Sequence, residues 1–204
     1  MYQAIVFFPL LGALIAGLFG RVIGDRPSEI ITTALLILSA LMSCVAFVDV
    51  GLNGETNTVQ VLQWIHSGSL NIDWVLRIDT LTAVMLVVVT CVSSMVHVYS
   101  IGYMSHDAAR ARFFAYLSLF TFMMLVLVTA DNFVQLFFGW EGVGLASYLL
   151  IGFWFKKPSA NAAAIKAFVV NRVGDFGLIL GMAAIYFTVG SLEFDNVFAA
   201  ANAL

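Results

Sequence analysis

Charged residues are scarce in this sequence: its 204 residues include nine Lys and Arg, twelve Asp and Glu, and three His. Charged residues make up 10%, hydrophobic residues make up 62%, and the mean hydropathy is +1.00. Soluble globular domains carry about 25% charged residues. The low charge therefore argues against an ordinary soluble domain. Because no basic patch with interleaved aromatic residues is present, we expect no nucleic acid partner.

Cysteines and cofactor motifs are also few. The two cysteines, Cys44 and Cys91, fall inside apolar runs and lack the spacing of metal ligands. The sequence contains no Gly-rich phosphate loop and no pair of axial histidines. We therefore expect no flavin, iron–sulfur cluster, haem or metal ion to be bound by this chain.

Long apolar runs dominate the sequence. About 20 apolar residues rising about 1.5 Å each span the hydrocarbon core of a bilayer, whereas membrane β-strands are shorter. The sequence therefore predicts an all-α, polytopic membrane protein with a single transmembrane domain over residues 1–204. Its six helices are predicted at about 3–20, 30–50, 80–103, 113–130, 132–155 and 162–189.

The connections between these runs carry capping and turn signals. Ser159 is predicted to cap helix six. The one long connection, residues 51–79, contains alternating polar and apolar residues at about 59–65 and 69–78. This alternation predicts a small surface hairpin within an otherwise helical protein.

Positive charges are distributed unevenly between the two sets of loops. The N-terminus and the turn at Asp131 carry no Lys or Arg, and the long loop carries only Arg77. By the positive-inside rule the N-terminus faces the periplasm.

Because positive charge follows the first apolar run, that run is expected to be a resident span rather than a signal peptide. The lack of a transit peptide favours a bacterial inner membrane over the mitochondrial inner membrane. The loops after helices one, three and five carry Arg21, Arg26, Arg110, Arg112, Lys156 and Lys157.

Glu141 is the most informative single residue. It is the one charged residue between positions 133 and 155, in the segment Trp140-Glu141-Gly142-Val143-Gly144. A carboxylate near the bilayer midplane costs about 2.5–3.5 kcal/mol on insertion scales. Glu141 is therefore predicted to carry protons or ions.

Helix six adds a second group of polar residues. Arg172 and Asp175 are three residues apart and share a helical face, whereas Lys166 points roughly opposite Asp175. Arg172 and Asp175 either act with Glu141 in proton transfer or form a static ion pair that fixes helix packing. Lys166 either takes part as well or extends to the membrane interface.

Two further features concern packing and proton relay. His97, near the end of helix three, either relays protons or packs as a hydrogen-bonded histidine. Small residues on helices five and six are predicted to bring those two helices close together. They are Gly139, Gly142, Gly144 and Ala146 on helix five, and Gly174, Gly177 and Gly181 on helix six.

These motifs resemble a known family. Residues 137–154, which contain the Trp140-Glu141 pair, resemble the fifth helix of the distal antiporter-like subunit of respiratory complex I, known as subunit L or chain 5. The segment Asn171-Arg172-Val173-Gly174-Asp175 is similar to its sixth helix. Arg77-Ile78-Asp79-Thr80-Leu81-Thr82 is similar to its third-helix region.

The resemblance implies proton translocation coupled to NADH oxidation and quinone reduction in other subunits, which would hold the flavin and iron–sulfur clusters. It makes the chain a subunit of a translocating enzyme without a redox centre of its own. It implies that Glu141 pairs with a lysine on helix seven, while Arg172 and Asp175 set the charge nearby. The expected partners are other complex I subunits, chiefly a neighbouring antiporter-like subunit, and the lipid bilayer.

The family also implies more than a dozen helices, whereas this sequence predicts six. The helix-seven lysine, the second half-channel and the lateral helix expected of the family lie outside these six helices. The sequence is therefore expected to be either part of a longer polypeptide or a truncated form. Two other functions stay open at this point. The chain could belong to a multisubunit cation/proton antiporter, or it could be a non-transporting membrane scaffold.

Overall fold

The computed structural model describes residues 1–54, 56–68 and 70–201, and within them it confirms the predicted fold class. Six helices of the described chain are long and apolar enough to cross a membrane. The elements are α1 (Tyr2–Ile23), α2 (Asp25–Ala46, continued by a π-helical turn, Phe47–Gly51), β1 (Asn57–Ser67), β2 (Leu70–Ile78), α3 (Thr80–Tyr103), α4 (Arg110–Val128), α5 (Phe133–Ile151), α6 (Pro158–Val189) and α7 (Phe194–Ala201).

The core lies among α1, α2, α3 and α4, with β2 closing one end. Ile5, Val50, Leu86 and Leu125 are fully buried in it, together with Leu76 of the strand. Helix α5 packs against α4, and α6 packs against α5 at the edge of the group. Most residues of α6 are exposed in the described chain, so α6 is the outermost of the membrane-length helices.

The predicted hairpin is confirmed. Strands β1 and β2 pair antiparallel, and the pairing shifts between Gln60 and Leu62 and again between Gln63 and Ile65. The positive φ of +61° at Gly68 favours glycine in the connecting turn. Ser69, where the second stretch was predicted to begin, lies outside the described residues.

The hairpin is joined to the α4–α5 turn, because the N–H of Arg77 donates to the carbonyl of Thr129 at 2.9 Å. We call this end of the molecule, which also holds the N-terminus, the hairpin side. The opposite end holds the loops after α1, α3 and α5 and is called the basic side.

The start of α6 differs from the sequence prediction. The helix begins at Pro158, about four residues earlier than predicted, and Lys157 precedes it without a side-chain capping bond. The predicted Ser159 cap is therefore wrong. Proline suits the first helical position because its fixed φ is already helical and its missing N–H would have no partner there.

A short helix, α7, was not predicted. It follows α6 on the hairpin side, where the N–H of Phe194 donates to the carbonyl of Asp131 at 3.2 Å. Arg77 ties it to the hairpin, since its Nη1 lies 2.7 Å from Asp195 and 3.3 Å from Asp131. A helix of eight residues is too short to span a bilayer, and a search for long apolar runs does not detect it.

Two glycines of α5, Gly139 and Gly142, bring that helix close to α4. A Cβ atom added to Gly139 would lie 2.6 Å from the backbone nitrogen of Leu127, and one added to Gly142 would overlap Met123.

By contrast, a Cβ at Gly177 or Gly181 would meet no described atom within 4 Å. The prediction that small residues join helices five and six holds at Gly144, where an added Cβ would lie 3.5 Å from Nη2 of Arg172, and is wrong for these other glycines. A row of glycines shows that one face can be approached closely but not which neighbour approaches it.

Candidate functional site

Glu141 lies near the middle of α5, as the ninth of its 19 residues. Helix α5 is set in place by its contact with α4. Asn132 caps its N-terminus, because the Asn132 side chain accepts from the N–H of Gln135 at 2.8 Å. The carboxylate of Glu141 is about one quarter exposed within the described chain. The fold therefore holds an acidic side chain far from both ends of a membrane-length helix.

Arg172 of α6 lies between two carboxylates. Its Nη1 atom forms a salt bridge with Oε2 of Glu141 and lies 3.3 Å from Oδ2 of Asp175. The side chain of Asp175 is only 6% exposed, whereas that of Arg172 is 33% exposed within the described chain. The structure thus brings three of the predicted site residues together in what we call the Glu141–Arg172–Asp175 cluster.

Trp140 completes the polar contacts of Asp175, a contact that was not predicted from the sequence. Its indole Nε1 donates to Oδ1 of Asp175 at 2.7 Å, so each oxygen of Asp175 has a partner. At membrane depth an indole N–H has no water to donate to and needs an acceptor within the protein. An indole in an apolar run, next to Glu141, was therefore the available signal for a polar partner on a neighbouring helix.

The guanidinium of Arg172 is also held by an aromatic ring. Its Cζ atom lies 4.3 Å from the ring centroid of Phe168, one turn earlier on α6, which stabilises the cation. Its Nε atom is buried and has no hydrogen-bond acceptor among the described residues. The arginine is therefore positioned by a ring on its own helix while its Nη1 atom contacts both carboxylates.

A cavity of about 460 Å³ adjoins the cluster. Trp140 and Asp175 line it, together with the polar side chains of Ser147 and Asn171. Polar groups and sufficient volume are the two conditions for holding ordered water. The cavity therefore offers a place where water can reach Asp175.

The other two predicted residues lie apart from the cluster. Lys166 is exposed and takes part in none of the salt bridges of the described chain. His97 is fully buried between α3 and α4, where its Nδ1 lies 2.8 Å from the carbonyl of Ser93 and its Nε2 lies 3.1 Å from Oγ of Ser118. A carbonyl only accepts, so Nδ1 carries the proton and Ser118 donates to Nε2 when the ring is neutral.

No metal site accompanies these groups. Within residues 1–54, 56–68 and 70–201, no group of three or more His, Cys, Asp or Glu side chains could hold a metal ion. The polar chemistry of the cluster is that of two carboxylates, a guanidinium and an indole N–H.

Two family models match the chain and define its class. Residues 64–114 match the N-terminal model of NADH-ubiquinone oxidoreductase (complex I) chain 5, and residues 130–204 match the transmembrane model of NADH:quinone oxidoreductase and Mrp antiporters. The chain therefore belongs to the antiporter-like class of membrane proteins that these models describe.

Solved structures show the same fold. One belongs to the membrane-bound sulfane sulfur reductase, an archaeal respiratory membrane complex, with a TM-score of 0.82, 20% identity, and coverage of 97% of this chain and 39% of that one. Another belongs to the Mrp complex of a Dietzia species, with a TM-score of 0.81, 23% identity, and coverage of 96% and 20%.

Two relatives with similar sequences identify the family within this class. NADH-quinone oxidoreductase subunit L of Rhodobacter capsulatus is 57% identical over 211 residues, covering 100% of this chain and 29% of the relative. NADH-ubiquinone oxidoreductase chain 5 of Marchantia polymorpha is 52% identical over 203 residues, covering 100% and 30%. The chain belongs to the subunit L, or chain 5, family, and it spans about 30% of the length of these relatives.

Proposed function

We propose that this chain is part of a proton-translocating subunit of NADH:quinone oxidoreductase, in which Glu141 binds and releases protons. The observation that carries the proposal is the position of Arg172, which contacts Glu141 and Asp175 together in the middle of two membrane-length helices. Asp175 serves as the second partner of the arginine, and the cavity beside it supplies water.

Proton binding and release by Glu141 have a simple physical basis. One nearby cation controls the proton affinity of a carboxyl group in a poorly solvated environment. Burial favours the neutral acid, and a nearby cation favours the carboxylate. At an effective dielectric constant of about 20 and a separation of about 4 Å, one charge pair is worth about 4 kcal/mol. A shift of Arg172 from Glu141 toward Asp175 therefore favours proton uptake by Glu141, and its return favours release.

The partners and the membrane proposed for this chain are those expected of its family. The partners are other subunits of the enzyme, chiefly a neighbouring antiporter-like subunit, and those subunits hold the flavin and iron–sulfur clusters. The membrane is the bacterial inner membrane, with the N-terminus and the hairpin side facing the periplasm. The positive charge of the basic side supports this orientation.

Lys166 and His97 are proposed to assist proton movement indirectly. Both lie outside the cluster, so neither contacts Glu141 directly. Lys166 is exposed on α6, and His97 has hydrogen-bond partners on α3 and α4. Each would act on proton movement through water or through a hydroxyl group such as that of Ser118.

The test is the substitution Glu141→Gln in the full-length subunit, expressed in its host membrane. Inverted vesicles are supplied with NADH, and acidification is measured relative to the rate of NADH oxidation. We expect the ratio to fall several-fold, because the amide cannot exchange a proton. Glu193→Gln is the matched control, since Glu193 is exposed in the α6–α7 connection. An unchanged ratio in Glu141→Gln, with a normal amount of assembled subunit, would sink the role of Glu141.

Cation/proton antiport is the second candidate, because the matched transmembrane model covers Mrp antiporters as well. Sodium-dependent proton exchange in vesicles without NADH would favour it, and its loss in Glu141→Gln would assign the same residue to that activity. The scaffold alternative predicts instead that Glu141→Gln lowers the amount of assembled complex and leaves the transport ratio unchanged.

A further inference from the structure

Two cavities lie at different levels of one groove between α4, α5 and α6. One, which we call the deep cavity, is the cavity beside Asp175. The other has a volume of about 390 Å³ and is called the basic-side cavity, because its lining includes Gly152 after the end of α5 and Asn161 near the start of α6. The residues between these two levels determine whether water on the basic side can reach the Glu141–Arg172–Asp175 cluster.

Two aromatic rings lie at the level between the cavities. On α5 the lining of the deep cavity ends at Ser147, and that of the basic-side cavity starts at Tyr148. On α6 the lining of the basic-side cavity ends at Ile165 and that of the deep cavity starts at Val170, which leaves Phe168 between them. The ring centroids of Tyr148 and Phe168 are 5.4 Å apart, so the two rings pack against each other. This ring pair therefore divides the groove into its two cavities.

The α4 wall of the groove is also aromatic at this level. Tyr116 lines the basic-side cavity, and Phe120, about one turn further along α4, lines the deep cavity. Each of the three helices thus contributes at least one ring where one cavity gives way to the other. Hydrophobic constrictions exclude water by dewetting. The groove therefore contains a barrier to water between the basic side and the cluster.

One ring of the pair contacts the cation of the cluster. The Cζ atom of Arg172 lies 4.3 Å from the ring centroid of Phe168, and this attraction stabilises the guanidinium and the ring in their positions. Phe168 precedes Arg172 on α6 and Asp175 follows it, so these two partners lie on opposite sides of the arginine along the helix. A shift of the guanidinium toward Asp175 therefore draws it away from Phe168.

We propose that the Tyr148–Phe168 ring pair controls the access of water from the basic side to Glu141, and that Arg172 holds this barrier closed while it contacts Glu141. When the guanidinium moves toward Asp175, the ring of Phe168 loses its cation and the barrier opens, so that Glu141 takes up a proton from the basic side. The proposal rests on the proposed function of Glu141 and adds the side of proton uptake and the residues that control it. It uses contacts between α5 and α6 and not the outer surface of either helix.

The experiment measures water access in the full-length subunit, assembled in its complex. Inverted membrane vesicles are used, because their outer surface is the basic side in the proposed orientation. Ser147→Cys places a thiol in the deep cavity. The vesicles are treated with a membrane-impermeant cationic methanethiosulfonate, and modification of position 147 is followed by mass spectrometry of its peptide. We expect slow modification in this variant and about 10-fold faster modification when Phe168→Ala is added, because loss of the ring opens the constriction to water.

Further variants separate the barrier from a general loosening of the fold. Phe168→Tyr keeps the ring and should keep the modification slow. Phe187→Ala removes a ring from the same helix, outside the lining of both cavities, and should leave the rate unchanged. Tyr148→Ala is a second opening variant, for the case in which Phe168→Ala does not assemble. Equal acceleration by Phe187→Ala would overturn the proposal, and so would an unchanged rate in both opening variants.

The part played by Arg172 is tested in the same assay. Arg172→Gln removes the cation and keeps both rings, so it should speed the modification by cationic and anionic methanethiosulfonates alike. An unchanged rate, or acceleration with the cationic reagent alone, would overturn the claim that the arginine holds the barrier closed. The assay requires neither NADH nor proton transport. A failure of the barrier is therefore distinguishable from a failure of the proposed function, which the transport ratio of Glu141→Gln tests.

Discussion

Trp140 and Asp175 are joined by a hydrogen bond of 2.7 Å between the indole Nε1 and the carboxylate Oδ1. This bond links α5 to α6 one residue before Glu141, which itself contacts Arg172. Neighbouring residues on α5 thus hold the two members of the same ion pair on α6. The indole fixes the carboxylate, and the glutamate competes with that carboxylate for the arginine.

Trp140→Phe tests this competition. The substitution keeps an aromatic ring but removes the donor to Asp175, and a hydrogen bond to a charged group is worth about 1.5–3 kcal/mol. We expect lower thermal stability and a several-fold lower ratio of proton transport to NADH oxidation, because Asp175 then draws Arg172 away from Glu141. Trp154→Phe is the control, since it removes a similar bond to Asp107 at 3.0 Å outside the cluster. An equal fall in the transport ratio for the two variants would contradict the prediction.

Arg172→Gln should leave Glu141 and Asp175 close together without a cation. Two like charges in a poorly solvated place favour protonation of at least one carboxyl group. We expect an additional protonated-carboxyl band in the infrared spectrum at neutral pH, and we expect this band to disappear in the double variant with Glu141→Gln. Arg172→Lys keeps the charge but replaces the guanidinium that lies over the ring of Phe168 with a more strongly hydrated ammonium group, so it should restore the carboxylate and only part of the transport.

Gly139→Ala should destabilise the α4–α5 contact. The added methyl group would lie 2.6 Å from the backbone nitrogen of Leu127, which cannot move as a flexible side chain can. Overpacking of this kind costs about 1–3 kcal/mol. The measurement is the unfolding midpoint of the detergent-purified subunit. Gly177→Ala is the control, because a methyl group there meets no described atom within 4 Å, and it should leave the midpoint unchanged or raise it.

Asp131→Asn should change stability in a pH-dependent way. Burial raises the pKa of Asp131 above its ordinary value, and the hydrogen bond and charge of Arg77 oppose this shift. A carboxyl group with a raised folded-state pKa contributes stability below its unfolded pKa and loses it as the pH rises through the folded value.

The neutral amide should therefore raise the unfolding midpoint at pH about 7, and the gain should vanish toward pH about 4. Asp195→Asn is the comparison, because Asp195 is 78% exposed and makes the shortest contact to Arg77. It should lower the midpoint or leave it unchanged at neutral pH. A gain for Asp131→Asn that persists in acid would refute the burial argument.

The parts of the fold that depend on local sequence were predicted correctly. Apolar length determines the six membrane-length helices, and alternation determines the hairpin. The three-residue spacing of Arg172 and Asp175 was enough to place both on one face. Glu141 was predicted as a site residue because its charge is isolated in a long apolar run.

The parts that were missed depend on how helices are rotated against one another. The glycines of α5 could equally have faced α4 or α6, and only the packed structure shows Gly139 against Leu127. The partner of Trp140 lies 35 residues away in sequence, so no local pattern relates the two. Helix α7 depends on contacts of Asp131 and Arg77 that form after the chain has folded back on itself.

The two carboxylates of the cluster are not equivalent, because Asp175 shares a helix with Arg172 and Glu141 does not. Helix α6 has 32 residues, about 48 Å of continuous helix, so it can turn or slide as one stiff rod. Helix α5 is held against α4 by the close approach at Gly139 and Gly142. Any rigid movement of α6 carries Arg172 and Asp175 together and leaves Glu141 behind. Under the proposed function, Glu141 is therefore the group whose protonation would respond to a movement of α6.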